Sequence, residues 1–259
     1  MSTAPAPKEI FERAIEEGER RLNQSLLELA ATSFIAGFTI VFGIAALGIV
    51  HTVVEPVFGE IARIVGALAF AIGVVFLVVG RAELFNENFF DPVAKTVDES
   101  HTSLVPSLLR LWVVTYALNL VGGVLFVSIF AVDGVFPPGT AETMRSMAED
   151  FSHRPNSTIF ASAIVGGTLV SLLSFMLHGV DTVGSRITVA YITGFLLALG
   201  PFDHVVVTVL HIVFGMMTGA TISYSALVEI VVVATTGNLV GGLGLVTFTH
   251  VAQVMGVRD

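Results

Sequence analysis

The sequence predicts an all-α membrane protein: six transmembrane helices in an inverted three-plus-three repeat, with the second and fifth helices broken. Three observations carry this. First, 54% of the 259 residues are hydrophobic and only 13% are charged, against roughly 25% charged in soluble domains. Second, apolar stretches long enough to cross a bilayer recur six times. Third, the word NLVGG occurs twice, at Asn119–Gly123 and Asn238–Gly242.

Residues 1–29 read as a cytoplasmic N-terminal segment. The first 28 are polar and contain no apolar core of a signal peptide. Between Lys8 and Leu29, apolar residues recur at Ile10, Phe11, Ala14, Ile15, Leu22 and Leu26, the spacing of an amphipathic helix. Residues 30–251 form the transmembrane domain, and 252–259 a cytoplasmic tail. The spans run Ala30–Val54, Ile61–Val79, Leu108–Val132, Thr158–His178, Ile187–Leu199 resuming through Val205–Thr218, and Ala226–Val251. With the N-terminus inside, the inner segments hold Lys8, Arg13, Arg20, Arg21, Lys95, Arg110, Arg186 and Arg258. The outer loops hold Arg63, Arg145 and Arg154. That bias places both termini in the cytoplasm, and an even span number agrees. The longest outer loop, Asp133–Asn156, reads as a turn at GVFPPGT followed by a short helix.

A second echo pairs Leu84-Phe85-Asn86 with Pro201-Phe202-Asp203, at an offset of 117 beside the 119 of the Asn119 and Asn238 pair. Three spans per half invert the second half relative to the first, so spans two and five correspond. Both are interrupted. Gly200 and Pro201 break span five, and Asp203 and His204 follow at once. After span two comes a longer polar stretch with Glu83, Asn86, Glu87, Asn88, Asp91 and Pro92. Breaking a helix in hydrocarbon frees backbone groups that each cost several kcal/mol if unpaired, on the order of buried polar groups. Such breaks survive against protein or a polar path, and their amides can receive an anion. His204, in a membrane span, reads as functional. Asp203 reads as the N-cap of the second half-helix.

Other chemistry is absent. A net charge of −9 argues against nucleic acid. The chain has no Cys, no phosphate-binding loop, and no HExxH or GxSxG word. Its histidines lie on different spans, which predicts neither enzyme activity, cofactor nor metal site.

These words together resemble the formate/nitrite transporter family, from about Leu29 to Val251. LFNEN is similar to that family's LFT-S/G-N loop word, GPFDHVV to its G-F-E-H-S word, and the two NLVGG words to its GNLIG words. The resemblance implies an aquaporin-like protomer with a pore through it, assembled as a homopentamer in the cell membrane. It implies passage of small monovalent anions such as formate, nitrite or hydrosulfide, or of their neutral acids. The family's central histidine falls on His204 and its loop threonine on Asn86. Its cytoplasmic constriction falls on Val74, Leu84 and Phe85, and its outer one on Phe70, Leu197 and Ser174. Asn86 replaces a threonine, and its amide can still donate to an anion. Glu87 stands where small residues are common, with Arg81, six residues earlier, as its expected partner. The fold also leaves open a channel for small neutral solutes, although the paired Asn-Pro-Ala words of such channels are missing.

Overall fold

The computed structural model describes residues 5–98, 104–200 and 202–258. Pro201, expected to make the break in span five, lies outside the described residues. The described chain is helical throughout its regular elements.

The N-terminal segment is two elements, not one. α1 (Pro7–Leu22) ends at Asn23, and α2 (Leu26–Phe58) starts afresh on Ser25, whose hydroxyl accepts the Glu28 amide at 3.2 Å. α1 buries Phe11, Ala14, Gly18 and Leu22, while Leu26, expected on the same face, belongs to α2 and is exposed. The helix does not lie free on a surface. It docks on α4 (Asp91–Asp98) and touches α7 (Asn156–His178) and α11 (Phe248–Arg258).

Among the described residues, five helices are long and apolar enough to cross a membrane: α2, α3 (Ile61–Val79), α5 (Val105–Phe130), α7, and the run Tyr224–Gly256. α8 (Val183–Leu199) and α9 (Val205–Met217) are apolar but shorter, each below the roughly 20 residues a crossing needs. The expected short helix of the long loop is α6 (Thr140–Ser152). It lies against α2 near Gly48 and Thr52. That is roughly 33 Å along α2 from Leu26 at 1.5 Å per residue, so α1 and α6 mark opposite ends of the bundle.

Lipid tails offer no hydrophobic drive between helices, so close packing over small residues must hold the bundle. α2 crosses α5 where Gly37 meets the Asn119 carbonyl and Gly122 meets that of Phe34. α7 crosses α10 (Tyr224–Leu239) and the π-helical stretch Val240–Thr247 in the same way. Gly167 meets the Asn238 carbonyl, and Gly241 that of Ile164. The π turn was not legible in the apolar pattern. Along it Gly241 meets the Ile164 carbonyl of α7, and Gly242 meets Ser171 of α7 together with Phe89. Thr247 Oγ1 then donates to the Phe89 and Gly242 carbonyls, each at 2.9 Å.

A methyl at Gly37 would collide with the Asn119 backbone, whereas one at Gly244 meets nothing within 4 Å. Gly37→Ala is therefore expected to destabilise by about 1–3 kcal/mol through overpacking. Gly244→Ala should be neutral or slightly stabilising. Thermal unfolding in detergent compares the two directly.

Candidate functional site

Two asparagines hold the two interrupted segments by one pattern. Between α3 and α4 the chain makes a 3-10 turn, Phe85–Phe89, all of it buried. Asn119 on α5 donates to the Ser33 carbonyl at 2.8 Å and to the Glu83 carbonyl at 2.9 Å, and accepts the Phe85 amide at 3.0 Å. Asn238 on α10 donates to the Ala163 and Asp203 carbonyls at 2.7 Å, and accepts the Val205 amide at 2.9 Å. Each side chain thus satisfies freed backbone groups that lipid cannot. The clamps set Glu83 against Asp203 and Phe85 against Val205, an offset of 120. That differs from the 117 read from LFN and PFD, because Leu84 stands opposite His204 rather than opposite Pro201.

The clamps also join each other. Asn86 Nδ2 donates to Asn238 Oδ1 at 2.8 Å. The other partners of Asn238 fix which of its atoms is oxygen, and so fix that Asn86 presents its nitrogen there. Asn86 Oδ1 is left buried without a partner. His204, 1% exposed, is itself the N-cap of α9. Its Nδ1 accepts the Val207 amide at 3.4 Å. A neutral ring with Nδ1 accepting carries its proton on Nε2, and Nε2 is buried without a partner. An orphaned donor and an orphaned acceptor thus hang from one hydrogen-bonded node. Each costs about 1–3 kcal/mol unpaired.

Two cavities approach this node. One, of about 310 Å³ at the α6 end, is lined by Phe70, Leu197, Phe202, Asp203 and His211 among others. The second, of about 250 Å³ at the α1 end, is lined by Arg21, Val78, Glu87 and Asp91 among others. His204, Asn86, Leu84, Phe85 and Val74 line neither, and all are buried. On α3, Phe70 and Val78 bracket a stretch of roughly 12 Å at 1.5 Å per residue. Phe85 packs edge-on to Phe89 at 4.9 Å and against Tyr116 at 4.8 Å.

Ser174 does not join Phe70 and Leu197. Its hydroxyl donates to Asp91 Oδ2 at 3.1 Å, and it lines the cavity at the α1 end. α7 begins at the α6 end, so a residue this late in it reaches the other side. Asp203 is not the cap of α9; that role is taken by His204. Its carboxylate instead accepts Arg154 Nη2 at 2.5 Å and the Thr208 hydroxyl at 3.0 Å, and Oδ2 stays buried without a partner. Arg81 does not pair with Glu87. It sits exposed at φ +53°, and Glu87 faces Arg21, whose Nη1 donates to the Glu87 carbonyl at 3.2 Å.

The sequence reading missed the charged partners. Arg154 was seen only as a loop charge, and Arg21 only as part of the inside bias. Arg21 lies 3.5 Å from Glu83 and 3.6 Å from Asp91, and Arg20 lies 2.9 Å from Glu83. Burial pushes the Glu17 carboxyl up, but hydrogen bonds and charge from Arg20 and Arg21 outweigh it and hold it at about 2. His178 Nε2 lies 2.9 Å from Asp91 Oδ1. The missing signal was pairing between residues 49 to 87 apart in the chain, which no local spacing encodes.

A sequence profile for the formate/nitrite transporter family matches residues 8–252. Inner membrane protein YfdC of Escherichia coli (strain K12) is 26% identical over 95% of this chain and 78% of its own. Formate channel BtFdhC of Bacillus thuringiensis is 23% identical over 95% and 94%. Among solved structures, an FNT family ion channel superposes with a TM-score of 0.82 at 14% identity, covering 93% of this chain and 97% of the other. A pentameric formate channel with formate bound gives 0.71 at 21% identity, over 90% and 98%.

Proposed function

Since the chain belongs to the formate/nitrite transporter family, we propose that it is a membrane channel or transporter for small monovalent weak-acid anions of the formate, nitrite and hydrosulfide class. One observation carries the reading: the unpaired Nε2–H of His204 and the unpaired Oδ1 of Asn86, buried between two cavities. A carboxylic acid complements both, its carbonyl accepting from His204 and its hydroxyl donating to Asn86. A glycerol-like solute can also accept and donate through its hydroxyls but gains nothing from a ring that hands over a proton.

The mechanism follows from the surroundings. An anion enters either cavity. Phe70 and Leu197 on one side, and Val74, Leu84 and Phe85 on the other, form apolar constrictions where full charge is costly. Between them, His204 and Asn86 receive the cargo; the Nε2 proton of His204 passes to the anion as Nδ1 takes one up from its surroundings, and the neutral acid leaves. The equivalent asparagine clamps support the inverted repeat. On that reading α8 and α9 make one interrupted crossing, for six in all. The arginines of the α1 end support a cytoplasmic side for that end. The pentameric neighbour and the apolar outer faces of α5 and α10 support a homopentamer.

Purified protein in proteoliposomes provides the test. Formate, acetate, nitrite and hydrosulfide are expected to enter at least ten-fold faster than into protein-free vesicles, and glycerol and urea at the background rate. Entry of glycerol with exclusion of every anion would instead assign a neutral-solute channel.

A further inference from the structure

The cavity at the α1 end closes on a carboxylate that the transport cycle above leaves unused. Glu87 is 4% exposed and lines that cavity, and its Oε1 is buried without a hydrogen-bond partner. The nearby cations are already taken. Arg21 is shared by Glu17 at 3.2 Å, Glu83 at 3.5 Å and Asp91 at 3.6 Å. Arg20 is shared by Glu17 at 2.6 Å and Glu83 at 2.9 Å. From α7, His178 faces Asp91. From α8, Arg186 donates to the Leu177 carbonyl. No cation lies within 4 Å of the Glu87 carboxylate among the described residues. With Glu28 3.8 Å from Arg20, four carboxylates already divide the two guanidiniums, and Glu87 is a fifth. A proton on Glu87 relieves that crowding.

The rest of the lining decides what comes to this carboxyl. Arg81 and Arg186 line the same cavity and pair with no carboxylate among the described residues, whereas Glu17 and Asp91 are already paired and, with Glu87 protonated, Glu16 alone stands against them. An anion is drawn in rather than a cation.

We propose that Glu87 hands its proton to the anion entering from the α1 end, and thereby restricts the cargo to conjugate bases of weak acids. This rests on the transport reading above. The O–H bond of the Glu87 carboxyl breaks, and an O–H or S–H bond forms on the anion. The electron pair stays on Glu87, whose charge then faces Arg21. Water in the open cavity returns a proton. Formate, acetate, nitrite and hydrosulfide are basic enough to accept it; chloride and nitrate are not. Glu87 is thus a specificity-determining residue as well as a proton donor.

The test uses the full chain in proteoliposomes holding a pH-sensitive dye, with protein-free vesicles as background. Formate uptake is followed together with lumen acidification, and chloride and nitrate entry are measured in parallel. The parent should acidify the lumen as formate enters and should exclude chloride and nitrate. Glu87→Gln keeps the shape without the proton and should lose at least ten-fold in both formate uptake and acidification. Glu87→Asp keeps a carboxyl and should recover part of both, which a purely structural role does not predict. Parental formate uptake by Glu87→Gln overturns the proposal. So does faster uptake with chloride admitted, which would make Glu87 a charge barrier only. If Glu87→Gln fails to fold, Glu87→Asp decides alone: a full loss of acidification with formate uptake retained overturns the proposal. A parent that carries no weak-acid anion at all sinks the transport reading itself, a result distinct from any of these.

Discussion

His204→Asn is expected to lower weak-acid uptake at neutral pH by about 100-fold, the lower end of what a positioned proton-transfer group contributes, while leaving the fold intact. His204 serves two ends with two nitrogens. Nδ1 caps α9 through the Val207 amide, and Nε2 is left unpaired in the interior. Asparagine is among the preferred N-cap residues, so the cap survives the exchange. What is lost is a ring that can give up the proton on one nitrogen while taking one up on the other. Uptake by the variant should also become nearly independent of pH. The measurement is initial formate uptake from pH 5.5 to 8, beside thermal unfolding of the same preparation. A variant that transports like its parent at every pH would remove His204 from the mechanism.

Asn238→Ala should be the most destabilising single exchange in the bundle. It breaks four hydrogen bonds, to the Ala163 and Asp203 carbonyls, the Val205 amide and Asn86. The residue is fully buried, so the abandoned partners find no water. At about 1–3 kcal/mol for each group left unsatisfied, the loss is several kcal/mol, a large part of a typical domain's stability. Asn119→Ala breaks three comparable bonds and should cost less by about one hydrogen bond. Unfolding midpoints in detergent should rank parent, then Asn119→Ala, then Asn238→Ala. The reverse order would mean that the Asn86 link carries no weight.

The long apolar helices were legible because hydropathy at bilayer length is a strong local signal. α3 and the ends of α7 and α8 fall where the apolar runs predict. The repeated asparagine word was legible too, since it marks a position that must hold hydrogen bonds in an apolar segment. The register between the two breaks was not. Leu84-Phe85-Asn86 and Pro201-Phe202-Asp203 look alike in side chains, but the clamps act on backbone groups and ignore side-chain likeness. Ser174 was carried over from the family resemblance, without a matching word in that span to fix its depth, and fell at the wrong end. Spacing along a helix gives its face, but not the depth at which a residue meets the loop opposite. Arg154 with Asp203, and Arg21 with Glu83, depend on where α6 and α1 fold back, which periodicity does not contain.

The shared use of one oxygen has a mechanical meaning. Asn238 Oδ1 accepts from Asn86 in the first break and from Val205 in the second. The two breaks are pinned to a common point. A carrier that alternates by swinging one break away from the other must first tear that pin, in a place where no water can substitute. On the proposed function, passage through such a body turns on the charge of the passenger rather than on the swing of a door.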